Sequence, residues 1–461
     1  MAGLPFPLPK SSTPGARDGE GEGRYSNCYA SIEGERVYVR RTPGLARLVA
    51  TGGSGVFRGG IAVDGDIYVV LGTTAYRIAS NLTVTTLTGT ISGSDGLTFA
   101  RNNKVTDDVS TPDVVVVREG GGAYILTSSA VSAYPDSDLP TTVNSVTFLE
   151  GFIIFSLPDG RMFSTGLNTT DVDALDFATA EGRADGLRRV IVRGNILYAL
   201  GETTIEPWKN VGNLQFPLQR SPTVMQVGLL TTMAVAGFED SWNSPSFFVS
   251  SDRRVMALAG YETLPVSTAD VERFLTASTA ATIEVSALIW KGRPFIAISS
   301  DAGTWVYDVE AKAWHERTSI GASRWRAKLS FFSSGRWVFG DVLGPDLLVM
   351  SDTLAEPGAA HSGFIQTGQL KDFPANIAAK LSADFTEASI TVAVSWSHDG
   401  GKTWCASPLT RSLANAEKWP VEVANLGRST HAGLIVKFAW EGGADFSFMG
   451  ASALRAQAGG E

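Results

Sequence analysis

The chain has 461 residues, among them 49 glycines, with 10% aromatic and 18% charged side chains and a formal net charge of -9. That length exceeds one simple core, and the wealth of Val, Thr, Ser and Phe favours an all-β protein over a helical one. The acidic balance excludes a general nucleic-acid-binding surface, which needs clustered Lys and Arg against phosphate. The local basic group Arg188, Arg189 and Arg193 reads as a solvated strand edge.

Residues 1–24 are rich in Pro, Gly, Ser and charge and lack apolar periodicity, which predicts an extended N-terminal arm ordered by a neighbouring subunit or partner. Pro5, Pro7 and Pro9 interrupt its one apolar segment, so no signal peptide is expected, and no run approaches the ~18 apolar residues of a membrane span. The product is therefore expected to stay where it is made. Cys28 and Cys405 stand far apart, which offers neither a disulfide framework nor a metal spacing.

From 25 to 352 apolar and polar residues alternate in short runs divided by turn dipeptides such as Asp64-Gly65 and Asp159-Gly160. Seven such runs begin near Gly65, Thr111, Gly151, Gly194, Pro245, Gly292 and Gly335, at spacings of about 46, 40, 43, 51, 47 and 43 residues. This is the repeat length of a four-stranded propeller blade. In the first, 67–71 and 75–78 form a hairpin around Gly72 and Thr73, with 84–87 as a further strand. In the second, 97–100, 114–117, 124–127 and a strand near Val131 supply four. The Pro245 run is the least regular. One helix is predicted, over 269–278, with Thr268 as N-cap and Glu272 in the first turn. Residues 36–40 (RVYVR) are the expected strand that closes the ring by joining the last blade. After 352 the period stops: 353–363 reads as a linker and 364–461 as a smaller C-terminal β domain, either a small sandwich or an irregular extra blade. The fold class is thus an all-β propeller of about seven four-stranded blades followed by that domain.

The sharpest motif lies in the C-terminal part. Ser397, Asp399, Gly401, Thr403 and Trp404 match the S-x-D-x-G-x-T-W Asp-box of sialidases and related propellers. Its chemistry is that of a turn: Asp399 accepts from backbone N–H groups, Gly401 takes a left-handed conformation and Trp404 covers the hairpin. The four histidines (His315, His361, His398, His431) show no ligand spacing. His315 and Glu316 are adjacent on a strand and face opposite sides. Asp107-Asp108 and the carboxylates of 171–176 do not match a calcium loop. Thr51 to Gly55 lacks the Lys-Ser/Thr of a phosphate loop. No nucleophile meets a base and an orienting group, so no catalytic residue, cofactor or metal is expected.

Several segments, taken in order, resemble one family along nearly the whole chain. They are 25–29 (YSNCY, with Asn27, Cys28 and Tyr29), 41–45 (RTPGL, with Thr42, Pro43 and Gly44), 65–78, 146–152, 173–182 and 200–204. Further on come 303–308 (GTWVYD, with Trp305, Tyr307 and Asp308) and 314–317 (WHER, led by Trp314). The set is similar to the packaged-DNA stabilisation proteins, or tail accessory (hub) proteins, of short-tailed bacteriophages. The resemblance implies a virion protein and not an enzyme, assembled in the host cytoplasm as a homohexameric ring below the portal and its head-tail adaptor ring. Such a ring extends the DNA channel, retains packaged double-stranded DNA without sequence-specific contact, and docks a tail needle or plug and tailspikes or fibres. The rival readings are a glycan-active, sialidase-like propeller and a carbohydrate-binding one. A sialidase needs several Asp-boxes, an Arg cluster and an acid-nucleophile pair, where this sequence has one box.

Overall fold

A computed structural model describes residues 4–17, 20–33, 36–180, 182, 185–371, 379–423, 426–427, 430, 432–442 and 445–455. Residues 1–3 and 18–19 of the expected arm, Glu181 of the 173–182 segment and His431 lie outside them.

The chain forms two compact units that interleave in sequence. The propeller unit comprises Arg47–Asp301 and Arg326–Val349, and the terminal unit comprises Met1–Ala46, Ala302–Trp325 and Met350–Glu461. The sequence reading expects divisions near 24, 352 and 363.

In the propeller unit, seven first strands line one cavity: Phe57–Val63, Leu97–Arg101, Ser145–Leu149, Leu187–Arg193, Val235–Ala236, Glu284–Trp290 and Ala327–Ser333. Six of them open antiparallel four-stranded sheets, as Phe57–Val63 does with Asp66–Leu71, Thr74–Ile78 and Val84–Thr86. The blade that starts at Glu284–Trp290 pairs it with Arg293–Ser300, whereas the next hairpin, Gly303–Asp308 with Ala313–Glu316, belongs to the terminal unit.

Successive blades bury their faces against each other, as in the cluster of Val115, Val117, Phe155 and Phe163. A hydrogen bond recurs at the repeat length beside this apolar burial. Val146 N donates to Thr98 Oγ1 at 3.1 Å, Val190 N to Ser145 Oγ at 2.9 Å and Ala287 N to Ser330 Oγ at 3.0 Å, across 48, 45 and 43 positions. Small hydroxyl residues thus satisfy inner-strand amides that no sheet partner reaches.

The ring closes where Ala327–Ser333 lies beside Phe57–Val63, with Phe57, Val69, Phe331, Val338 and Leu347 in one cluster. Gly340 is required there, since a Cβ on it would sit 2.0 Å from Phe57 Cγ. The closing strand is Gly44–Ala50, next to Asp346–Ser351, and not 36–40 as expected. Arg36–Arg41 pairs with Cys28–Glu33 and Ser447–Arg455, where Val39 is fully buried. Both segments alternate. Leu48 and Val49 pack on the closing cluster, and Arg47 Nε meets Asp346 Oδ2 at 2.5 Å.

The helix forms at Ala269–Ala277, burying Val271 and Leu275. Thr268 occupies the N-cap position, but its hydroxyl makes no capping bond, and Glu272 instead accepts from Ser267 Oγ at 2.9 Å.

The terminal unit is built on a sheet in which Ser362–Gln366, Ile435–Glu441, Ala379–Ser397, Ser447–Arg455, Arg36–Arg41 and Cys28–Glu33 follow one another. Its core stacks Phe385, Phe438, Phe446 and Phe448, with ring centroids 5.1 to 5.9 Å from Phe385. The expectation leaves the arm to be ordered by a neighbouring subunit or partner, but this unit itself holds it: Leu4 pairs with Ala453, Phe6 N donates to Ala451 O at 2.8 Å, and Phe6 is 5% exposed.

Candidate functional site

The resemblance segments 65–78, 146–152, 173–182 and 200–204 fall in the propeller unit, and those that hold Asn27, Cys28, Tyr29, Thr42, Pro43, Gly44, Trp305, Tyr307, Asp308 and Trp314 fall in the terminal unit, where three stretches of chain meet. Asn27 takes φ 55°, a left-handed conformation that Asn tolerates better than most residues. Its Nδ2 donates to Ser362 O at 2.6 Å and to Thr318 O at 2.9 Å, and its backbone O accepts from Thr42 N at 3.1 Å. Cys28, fully buried, donates through Sγ to Phe364 O at 3.3 Å, and burial pushes its thiol well above the usual range. Tyr29 sits 5.9 Å from the His315 ring. Thr42 is buried, and Pro43 O accepts from Arg317 Nη2 at 2.7 Å. Gly44 runs so close to the chain that a Cβ would lie 2.1 Å from Ala355 O.

The other four close the 303–316 hairpin. Tyr307 and Trp314 stack with centroids 4.8 Å apart, Trp305 is 7% exposed, and Asp308 Oδ1 accepts from Glu310 N and Ala311 N at 3.1 and 3.0 Å. Trp314 N donates to Ser11 Oγ at 2.9 Å, which ties the arm to this hairpin. Arg41 and Arg317, from the RTPGL and WHER segments, complete the junction with His361, for which the sequence offers no role. Arg41 Nη2 donates to His361 O at 2.9 Å and Gly442 O at 2.7 Å, and Arg317 stacks 4.1 Å over Trp325. Burial, and then Arg317 and Arg41, hold His361 down to about 3, so it is neutral at neutral pH. The arrangement fixes backbone to backbone.

The Asp-box-like hairpin has the geometry of a braced turn. Ser397 Oγ donates to Asp399 Oδ1 at 2.8 Å and accepts from Gly401 N at 2.9 Å, while Thr403 N donates to both Asp399 oxygens at 2.9 and 3.1 Å. Gly401 has φ 96°, and Trp404 is half-buried. The Thr403 hydroxyl and backbone hold the Asp399 carboxyl down to about 2. Among the described residues no group of three His, Cys, Asp or Glu side chains gathers at metal-binding distance, and no helix is long and apolar enough to cross a membrane.

The propeller unit holds a central cavity of about 440 Å³ with charged residues in its lining. Here the expectation for the basic cluster fails. Arg188 is on the surface with Glu202 at 2.9 Å, but Arg189 is only 9% exposed and lines the cavity, and Arg193 is tied to Trp242 O and Ser244 O at 2.6 and 2.9 Å. The irregular Pro245 blade is responsible. Its first strand has two residues, Val235–Ala236, and the chain turns away at Gly237, φ 90°, bringing Phe238, Glu239 and Asp240 to the cavity. Arg189 stacks 4.8 Å over Phe238. Burial first, opposed by backbone N–H groups and Arg189, raises the Glu239 carboxyl to about 7. The broken spacing before Pro245 was the sequence signal for this departure.

The family comparison supports the fold and the resemblance. Solved structures similar in fold are a computationally designed protein, Ika8 (12% identity, 75% of this chain and 99% of that chain, TM-score 0.38), and BBS1N in complex with ARL6DN (10%, 70% and 97%, TM-score 0.40). A third is the WD40 beta propeller domain of Doa1 (11%, 67% and 97%, TM-score 0.41). No curated protein matches the sequence. The family described as "Bacteriophage P22 Gp10, beta-propeller" matches residues 27–355, a span that runs from the Asn27 junction through every blade to the strand after ring closure. The chain belongs to this phage stabilisation family.

Proposed function

We propose that the chain is a structural component of a phage tail, acting without catalysis. Six copies form a hub ring below the portal and its head-tail adaptor ring, extend the DNA channel, retain the packaged genome until ejection, and dock a needle or plug and tailspikes or fibres. The observation that carries this reading is the family match over 27–355. Assembly takes place in the host cytoplasm, and the product resides in the virion tail.

Two physical features support it. Blades locked by face-to-face burial make a rigid scaffold whose loops are free to meet partners. Val105 and Val109, each 61% exposed, Leu167 at 63% and Leu214 at 101% sit on connectors that join the first to second or third to fourth strands of their blades. In a propeller such connectors emerge on one rim, so that rim presents apolar area to a partner. A net charge of -9 suits a passage wall past which DNA slides, since an acidic surface repels phosphate and a basic one holds it.

Negative-stain imaging of the chain mixed with portal and adaptor proteins tests the proposal. Closed six-fold rings seated on the adaptor are expected, and a chain that stays monomeric beside assembled portals would sink it. Incubation with fluorogenic glycosides tests the absence of catalysis, where turnover abolished by a point mutation would overturn that part.

A further inference from the structure

The rim of the propeller unit that carries Val105 and Leu214 is braced from blade to blade. On the first four blades its connectors are 64–65, 102–113, 150–151 and 194–195, between first and second strands, and 79–83, 127–130, 166–171 and 211–217, between third and fourth. Leu82, 42% exposed, and Val211, 50%, join the four exposed apolar side chains already placed there. Hydrogen bonds tie these connectors together. Ser110 Oγ donates to Asp64 Oδ2 at 2.7 Å, from the second blade to the first, and Asn103 N to Asn168 Oδ1 at 3.1 Å, from the second to the third. Asn210 Nδ2 donates to Glu150 Oε2 at 2.9 Å, from the fourth blade to the third. Leu167 lies over Gly151, where a Cβ would come 2.3 Å from Leu167 Cδ1. The loops are therefore fixed before a partner arrives, which lowers the entropy that docking costs. Charge on this arc has one sign. Asp64, Asp107, Asp108, Glu150 and Asp171 are exposed among the apolar side chains, whereas the only Lys or Arg of these connectors, Lys104, stands 3.6 Å from Asp113. Apolar side chains gathered on one rim and set among charges mark a protein-binding surface. Nucleic acid is repelled by these carboxylates, and a second copy, with a net charge of -9, is a poor electrostatic match.

We propose that this arc docks a different protein through a basic amphipathic segment. Apolar side chains of that segment lie against the Val105–Ser110 hairpin, Leu167 and Leu214, and its Lys or Arg residues meet Asp107, Asp108 and Glu150. The apolar contacts supply the affinity, and the carboxylates select a basic partner over an acidic one. The inference deepens the tail-component reading and rests on it only in taking the partner to be another protein of the virion.

The probe is a fluorescently labelled amphipathic helical peptide of Leu and Lys, titrated against the full chain by fluorescence anisotropy. A Leu and Glu peptide and an Ala and Lys peptide of equal length serve as comparisons. Saturable binding of the Leu and Lys peptide is expected, with each comparison weaker by about tenfold or more, because one lacks the charge and the other the apolar face. Val105→Ser combined with Leu214→Ser should weaken binding by a similar factor, and both side chains are exposed, so the fold loses little packing. Asp107→Asn combined with Asp108→Asn keeps residues that tolerate φ 50° and 62°, and should weaken binding several-fold while flattening its salt dependence. In hydrogen exchange the bound peptide should protect 102–113 and 211–217 and leave the turns at 291–292 and 334–335 unchanged. A Leu and Lys peptide that does not bind, binds no better than either comparison, or ignores both pairs of substitutions would overturn the docking surface while leaving ring assembly with portal and adaptor untouched. Binding as described by a chain that forms no ring would support the surface and count against the tail reading alone.

Discussion

Asn27 and Thr318, 291 positions apart, exchange hydrogen bonds as two strand residues would: Asn27 Nδ2 donates to Thr318 O at 2.9 Å, and Thr318 N donates to Asn27 Oδ1 at 3.1 Å. A side-chain amide here replaces a backbone peptide and continues the parallel pairing of Ser26 with Glu316 beyond the end of the two strands. Asn27→Ala removes these bonds, leaves a buried peptide group unpaired and places Ala at φ 55°. Together these should cost about 2–4 kcal/mol. Asn27→Gly accepts the backbone angle and should cost about 1 kcal/mol less. Urea unfolding of both variants checks the difference. If the two are equally unstable, the left-handed conformation contributes nothing.

The arm should be part of the terminal unit's stability and not a detachable tail. Phe6 is 5% exposed in the same cluster as Phe385 and Phe438, Tyr25 OH donates to Pro9 O at 2.7 Å, and Gly368 N donates to Pro7 O at 2.9 Å. Phe6→Ala should destabilise by about 3–5 kcal/mol, the range for a buried Phe truncated to Ala. In hydrogen exchange, the amides of Ser447–Arg455 should lose protection while those of Asp66–Leu71 keep theirs. Unchanged exchange in Ser447–Arg455 would show that the arm does not hold that sheet.

The blades were legible because each one repeats the same local chemistry: a turn dipeptide, a run of alternating apolar residues and a second turn, about 45 residues apart. The hairpin at Ser397 to Thr403 was legible for a similar reason, since the side-chain hydrogen bonds of Ser397 and Asp399 close within a few residues. What failed involved choices among equals or contacts across hundreds of positions. Residues 36–41 and 44–50 both alternate, and only the tertiary fit of Leu48 and Val49 onto Phe331 and Val338 selects the second as the closing strand. Arg189 looks like any strand-edge arginine until Gly237 turns Phe238 beneath it. The arm has no periodicity to betray Phe6, because it is anchored by single side chains and scattered backbone bonds instead of a repeating face.

Gly401→Val should destabilise the C-terminal hairpin by about 1–3 kcal/mol through its backbone alone. A Cβ there would meet only Ile435 Cδ1, at 4.0 Å, so no clash competes with the cost of φ 96°. Asp399→Asn tests the same turn through pH. The carboxyl titrates at about 2 instead of 3.8, chiefly because Thr403 hydrogen-bonds its ionised form. A depressed value means that the contribution is present above 3.8 and is lost as the pH falls through about 2. The variant should therefore show less acid sensitivity of hairpin protection in that window. Identical acid profiles would mean that Asp399 does not brace the turn in its charged form.

Glu239 should make the propeller unit less stable as the pH rises, the opposite of the usual carboxylate. Burial lifts its carboxyl from 4.5 to about 7, so the native state holds a proton that the unfolded chain has released. The contribution is complete below 4.5, declines between 4.5 and about 7, and is gone above. Arg189 and the N–H groups of Gly237 and Phe238 favour the ionised form, yet the desolvation outweighs them. One proton sets a ceiling of about 1.4 kcal/mol per pH unit on the slope. Glu239→Gln cannot ionise, so its unfolding free energy between pH 5 and 8 should be flatter than that of the unaltered chain and higher at pH 8. Denaturant titrations at half-unit pH steps measure both. A variant with the same slope would show that Glu239 is solvated enough to titrate as an ordinary carboxylate, and that the cavity is wetter than its phenylalanine walls imply.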